Sequence, residues 1–402
     1  MQKTSLASIH TNYRHTINAC YIGYITQAIV NNFAPLLFLT FARDYNLGLD
    51  KITLITTLNF GFQLFIDFVS AKFIDKIGYR VSIVLGHVCA VLGLVLLAVL
   101  PDMLAPSGHA YTGILISVLF YAVGGGVTEV LISPIVEACP TDNKEAAMSL
   151  LHSFYCWGFV FVILMSTVFF HFAGVNRWRV LALLWALIPL VNTFYFSLVP
   201  IYPVVAAEER QLSISALVKN RLFWLIVVMM VCAGASEQAV GQWVSAFAES
   251  ALHVGKTVGD LAGPCAFAFM QGLSRLIYGK RGEHLPLKKA MLSCALLCVA
   301  SYLLIVFAPH PVLALIACAL TGFAVGIFWP GTFSMAALAI PGGGTAMYAL
   351  LALAGDLGCS GGPTLTGFVA NAAGGRLPAG IAAAIVFPAL MFALISILRE
   401  RK

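Results

Sequence analysis

The sequence predicts an all-α integral membrane protein: twelve transmembrane helices arranged as two pseudo-symmetric six-helix bundles. Three observations predict it. The 402-residue chain is 60% hydrophobic and only 10% charged, with a mean hydropathy of +0.92, against about 25% charged residues in soluble proteins. Folded in water, a chain this apolar would leave much of that side chain on its surface. Apolar stretches of about 20 residues, each able to cross roughly 30 Å of hydrocarbon, recur along the whole length. The two halves of the chain also echo one another.

In order, the stretches cover 17–41, 53–71, 81–100, 113–138, 146–172, 179–200, 222–248, 258–278, 288–308, 311–336, 344–370 and 377–398. They are helix-length, not the alternating segments of about ten residues that a β-barrel needs. The first is too long, and too polar at Gln27, Asn31 and Asn32, for a cleavable signal. The second carries Asn59, Gln63 and Asp67 at i, i+4 and i+8, one helical face. The fourth carries Gly124, Gly125 and Gly126 about one turn before Glu129, room for a neighbouring helix or a ligand to come close. The sixth ends at the longest polar connection, 200–221, which divides the chain into a bundle at 1–200, a cytoplasmic linker at 201–221 and a bundle at 222–402. The seventh carries Glu237, Gln238, Gln242 and Trp243, and the tenth Trp329. The eleventh, "LAGDLGCSGGP", sets Asp356 among Gly355, Gly358, Gly361 and Gly362, a pliable or closely packed helix.

Of the 23 Lys and Arg, 17 fall on one side when the N-terminus is placed inside. The positive-inside rule therefore puts both termini in the cytoplasm. The net charge of +6 is the ordinary signature of such a protein and calls for no nucleic-acid partner. The ten cysteines show neither CxxC nor Cys/His metal spacing, so neither a disulfide nor a metal is implied.

The internal echo has three parts. Asp75-Lys76-Ile77-Gly78, after the second stretch, lines up with Gly279-Lys280-Arg281-Gly282 after the eighth. Gln27 and Asn31 in "TQAIVNNF" line up with Gln238 and Gln242 in "EQAVGQWV". Gly126 and Pro134 are spaced like Gly322 and Pro330. Three matches in the same order point to a duplicated six-helix unit.

With "AKFIDKIGYR" between the second and third stretches, the chain resembles the major facilitator superfamily over essentially its whole length. Asp75, Lys76, Gly78 and Arg80 match that family's loop motif. Ala71 stands for the leading glycine, and Tyr79 for a basic residue. Within it the chain is most similar to the fucose permease-type sugar/cation symporters, through the glycine-rich fourth stretch with Glu129, "LLHSFYCWG" (150–158), "AGASEQAVGQW" (233–243) and "GIFWPGTFSMA" (326–336). The first stretch departs from that group: amides stand where an acid is often found.

Buried carboxylates cost about 2.5–3.5 kcal/mol at a bilayer centre, so each is a functional candidate. Glu129, Glu237 and Asp356 are the candidates for proton coupling. A carboxyl group that is dehydrated holds its proton, and one that meets water releases it. Asp356 is set against Arg275. Gln27, Asn31, Asn32, Gln238 and Gln242 both donate and accept hydrogen bonds, which matches vicinal hydroxyls. Trp243 and Trp329 offer faces on which a sugar ring could stack, and His152 and Tyr155 could contact solute. Asp67, Asp75, Lys76, Gly78 and Arg80 are assigned to gating, as groups that favour one conformation over another.

The expected function is secondary active transport of a sugar or similar small polar solute by alternating access, coupled to H+. A Na+-coupled porter, or an exporter of another metabolite or drug, is the alternative. No cofactor is called for, the partners are the solute and the bilayer, and the working unit is expected to be a monomer. Minimal loops suit a bacterial inner membrane. No GxxxxGK[ST] loop, HExxH or Ser/His/Asp set stands out, which argues against an ATP-driven pump or an enzyme.

Overall fold

The computed structural model describes residues 6–141, 144–202, 212–281 and 286–398, and all their regular structure is helical. Among these described residues are twelve long helical passages. Those of the first half are Tyr13–Asn32 continuing through Phe38–Asp44, Leu49–Ile77, Tyr79–Leu104, Ala110–Glu137, Lys144–Ala173 and Trp178–Leu198. The second half has Arg221–Gly241 with Val244–Ser250, Lys256–Asp260 with Ala266–Arg281, Leu287–Phe307, Pro311–Val325 with Phe328–Ala339, Gly344–Ala372, and Leu377–Ala384 with Val386–Ile397. They are called the first to twelfth helices below. Ten passages are long and apolar enough to cross a membrane. The eighth and eleventh are the other two, and both carry buried polar residues, among them Gln271 and Asp356.

The helix breaks have local causes. In the first helix Pro35 lacks the amide hydrogen that would continue the ladder, and a tighter turn, Ala34–Leu37, takes over. The seventh breaks at Gln242 and Trp243, at the second of its paired amides. In the eighth a wider turn spans Leu261–Cys265 and contains Pro264. Gly78 joins the second and third helices with φ +92°, a left-handed conformation that glycine adopts without strain.

The contacts divide the chain into two units: residues 1–46 with 62–207, and residues 47–61 with 208–402. The second helix is thus shared. Its first half packs within the second unit, where the Thr57 and Thr364 hydroxyls hydrogen-bond at 2.6 Å.

Inside the first unit the third helix packs on the fourth and sixth, and the first on the fourth and fifth. Inside the second unit the ninth packs on the tenth and twelfth, and the seventh on the tenth and eleventh. The pattern is the same with every helix number raised by six. Even the helix ends match. Arg80, at the start of the third helix, donates from Nη1 to the Phe196 and Ser197 carbonyls, both at 2.9 Å, and so caps the sixth. Lys288, at the start of the ninth, donates to the Leu398 carbonyl at 2.5 Å and caps the twelfth. A cation there satisfies orphan carbonyls and opposes the negative end of the helix dipole.

The outward faces are apolar: Phe68, Phe172 and Phe194 of the first unit, and Leu296, Phe307 and Leu338 of the second, are all exposed. Inward, small residues let backbones approach. A methyl group at Gly358 of the eleventh helix would run into the Val231 carbonyl of the seventh. In the first unit His87 is a packing residue. Its Nδ1 donates to the Ile83 carbonyl at 2.9 Å, and its Nε2 accepts from Asn192 Nδ2 at 2.9 Å. Asn192 Nδ2 also donates to the Ala19 carbonyl of the first helix at 3.0 Å. A neutral ring thus ties the third and sixth helices, and through Asn192 the first.

One cluster lies at the other end of the first unit. Tyr45 donates to Asp102 at 2.8 Å, and Arg179 Nη2 donates to both, at 3.0 Å to the Tyr45 oxygen and 2.7 Å to Asp102. The Arg179 guanidinium also lies 4.5 Å over the Trp178 ring. Burial, and then the bond to Asp102, push the Tyr45 phenol above its ordinary value, so it stays a donor at neutral pH.

Candidate functional site

In the first unit, Gln27 and Asn31 lie one turn apart on the first helix, and Gln63 and Asp67 one turn apart on the second. All four are buried. Gln63 donates from Nε2 to Asn31 Oδ1 at 2.7 Å. Gln27 donates from Nε2 to Glu129 Oε2 at 2.5 Å. A carboxylate oxygen of Asp67 comes within 4.8 Å of one on Glu129. Glu129 is half-buried, and Gln27 Oε1, on the other side of the bonded amide, has no hydrogen-bond partner among the described residues.

The glycines before Glu129 explain the approach. A methyl at Gly125 would come 3.1 Å from the Gln63 amide, and one at Gly126 would come 3.1 Å from the Gln63 carbonyl and Ile66. Gly124 makes the same allowance for Ala90 of the third helix. The three glycines therefore admit neighbouring helices. One turn beyond Glu129, Ser133 hydrogen-bonds the Tyr24 hydroxyl at 3.3 Å, and Tyr155 meets Tyr24 edge-on at 6.3 Å. Asn32 is turned back on its own helix, donating to the Ala28 carbonyl at 3.0 Å.

In the second unit, Gln242 donates to Gln238 Oε1 at 3.0 Å, and Gln238 donates to Glu237 Oε1 at 3.2 Å, a chain of groups along the seventh helix. Arg275 of the eighth helix comes 3.7 Å from Glu237 Oε2. Its Nε donates to the Gly326 carbonyl of the tenth helix at 3.1 Å. The sequence sets Arg275 against Asp356; the structure places it beside Glu237, on an eighth helix that packs along the tenth. Asp356 is buried on the eleventh helix.

The two tryptophans occupy different settings. Trp243 is fully enclosed, and its indole N–H donates to the Pro363 carbonyl at 3.0 Å, which fastens the seventh helix to the eleventh. Trp329 is half-buried and lies over Gly355, where a methyl would strike its ring. It stands beside Phe333, with ring centres 6.1 Å apart.

The sequence of the chain matches the family model described as Major Facilitator Superfamily over residues 20–270 and 261–402. The chain belongs to this superfamily. Several solved transporter structures have a similar fold. One is the superfamily transporter FucP in its outward conformation, at 17% identity and TM-score 0.66, covering 94% of this chain and 97% of that one. The E. coli fucose:proton symporter FucP gives 17% and 0.64, with the same coverage. A bacterial homolog of the human lysosomal transporter Spinster, inward-facing and occupied, gives 13% and 0.75, covering 96% of each chain. The nucleoside transporter NupG gives 13% and 0.75, covering 96% of this chain and all of that one. No curated protein sequence matches the chain.

As a Major Facilitator Superfamily member the chain is a multi-pass membrane transporter and not an enzyme. Of the motif residues between the second and third helices, Gly78 makes the turn, Arg80 caps the sixth helix and Lys76 is exposed. The side chains of Asp75 and His152 lie outside the described residues. Three residues outside the binding and coupling candidates complete the polar clusters. Gln63 joins the second helix to Asn31, and Arg275 and Gln271 of the eighth both lie beside Glu237. The spacing Gln63–Asp67 was the available signal for the first of these.

Proposed function

We propose that this transporter carries a small neutral solute rich in hydroxyl groups, such as a sugar, and couples its movement to a proton at Glu129. The observation that carries this reading is the half-buried Glu129 carboxylate, held by Gln27 with Asp67 within 4.8 Å. Two negative charges at that separation repel by about 3 kcal/mol at an effective dielectric near 20. One positive charge shared between them removes the repulsion, so the pair suits a single exchangeable cation. Gln27, Asn31, Gln238, Gln242, Trp329 and Tyr155 are the proposed solute contacts, and Glu237 and Asp356 accompany them as secondary carriers of charge. Uptake into the cell across a bacterial inner membrane, by a monomer with both termini in the cytoplasm, completes the proposal.

Sodium is the second reading. Asp67, Glu129 and the unpartnered Gln27 Oε1 supply hard oxygen atoms of the kind such a cation binds. Proteoliposomes separate the two. With an inward proton gradient and no sodium, radiolabelled fucose, sorbitol or uridine should accumulate well above its outside concentration. Accumulation that requires an imposed sodium gradient and ignores the proton gradient would replace the proton by sodium. Equilibration without accumulation under either gradient would remove the coupling altogether.

A further inference from the structure

We propose that Ser133 and Glu137 of the fourth helix are proton-transfer residues that connect Glu129 with water at that end of the first unit. The three stand at i, i+4 and i+8, so they share one side of the helix. Exposure rises along it: Glu129 and Ser133 are half-buried, and Glu137 is exposed. An exposed carboxylate in a membrane protein stands in water and not in hydrocarbon, so the route is wet at Glu137. Glu129 and Glu137 lie about 12 Å apart along the helix axis, too far for a direct transfer, and Ser133 stands midway. Its hydroxyl shares a hydrogen bond of 3.3 Å with that of Tyr24. A hydroxyl donates and accepts at once, so it passes a proton on without a change of charge. Pro134, inside the same helix, has no amide hydrogen for the Val130 carbonyl, which leaves that carbonyl outside the ladder as an acceptor for water on this stretch.

Helix electrostatics give an independent reason. Glu137 is the last residue of the fourth helix, whose last turn holds no basic residue. The negative end of the helix dipole repels a carboxylate there, and lysine, arginine or an amide would suit the position better. What a carboxylate offers in exchange is a proton site open to solvent. In the transfer, the proton on Glu129 enters the chain of water and hydroxyl at Ser133. An equivalent proton leaves that chain for the Glu137 carboxylate, which yields it to buffer. Glu129 ends ionised, Ser133 is unchanged and Glu137 is reset. The other ionisable groups about the route are Asp67 beside Glu129 and the phenols of Tyr24 and Tyr155. In the proposed orientation this end of the helix faces the cytoplasm, so an imported proton leaves by it. The inference rests on the reading of Glu129 as the proton-coupling group.

The test uses the full chain in proteoliposomes with whichever of labelled fucose, sorbitol or uridine the wild type accumulates under an inward proton gradient. A transfer residue sets the rate of proton release and not the final equilibrium. Glu137→Gln should therefore reach the wild-type accumulation ratio, but in dilute buffer its initial rate of net uptake should fall about tenfold, a modest share of what a positioned proton carrier contributes. Concentrated imidazole on both sides should restore most of that rate, because a mobile buffer takes over the role of the side chain, and should change the wild-type rate little. Ser133→Ala should slow net uptake in the same way, and Ser133→Thr, which keeps the hydroxyl, should recover part of it. Counterflow runs with Glu129 protonated throughout, so Glu137→Gln should perform it within a few-fold of wild type. If the wild type accumulates none of the solutes under the proton gradient, the coupling reading fails and the inference with it. If it does and Glu137→Gln takes up solute as fast in dilute buffer, the reading stands and the route through Glu137 is overturned. Slowing that is equal in counterflow and unmoved by imidazole would make Glu137 a structural group and overturn it too.

Discussion

Glu129→Gln is expected to abolish uphill solute accumulation while leaving solute exchange across the membrane intact. One charge moving through about 100 mV supplies about 2.3 kcal/mol, equivalent to roughly fifty-fold accumulation at 1.36 kcal/mol per decade. Glutamine fills the same space and keeps a hydrogen bond with Gln27 available, but it cannot take up or release a charge. The accumulation ratio should therefore fall from about fifty toward one, a loss of the whole driving force. Counterflow, in which a preloaded solute exchanges with labelled solute, should proceed in the variant at a rate within a few-fold of wild type. Its loss together with accumulation would mean that the residue holds the fold or the solute instead of the ion.

The second large effect concerns stability. Gly358→Ala should destabilise the protein strongly, whereas Gly361→Ala, three residues away on the same helix, should not. An added methyl at Gly358 meets the Val231 carbonyl and lies 2.9 Å from the Ala235 amide nitrogen, both backbone atoms of the seventh helix that no rotamer change can move. Overpacking of this kind costs about 1–3 kcal/mol and sometimes more. The gain in helix propensity on replacing glycine by alanine is only about 1 kcal/mol. The clash wins at Gly358. At Gly361 the new methyl would meet nothing within 4 Å, so only the propensity gain remains. Thermal unfolding in detergent should show a lowered Tm for the first variant and an unchanged or raised one for the second. Equal effects would mean that the contact between the seventh and eleventh helices is not as close as described.

The helices were legible because hydropathy is additive along a chain: a run such as 81–100 needs no partner to be recognised. The repeat was legible for the same reason, since paired amides at matching offsets survive in one dimension. Cross-helix partners were not. A spacing of i and i+4 puts Gln63 and Asp67 on one face but does not say that the face meets Asn31 and Glu129. Arg275 illustrates the limit. With Glu237 and Asp356 both intramembrane acids, only the packing of the eighth helix decides between them. Trp243 and Trp329 read alike as aromatic faces, yet one is sealed against the eleventh helix by its bond to Pro363 and the other is half open. Gln271 escaped notice because a lone glutamine in "FAFMQG" carries no pattern until its place beside Glu237 is seen.

The account turns on Glu129 moving a charge with the solute. Electrical recording on supported membranes, with fucose, sorbitol or uridine added at zero ion gradient, measures that directly. The wild-type protein should give a transient current of positive charge moving with the solute, and Glu129→Gln should give none while still binding the same solute. A Glu129→Gln protein that passes a current equal to wild type would contradict it.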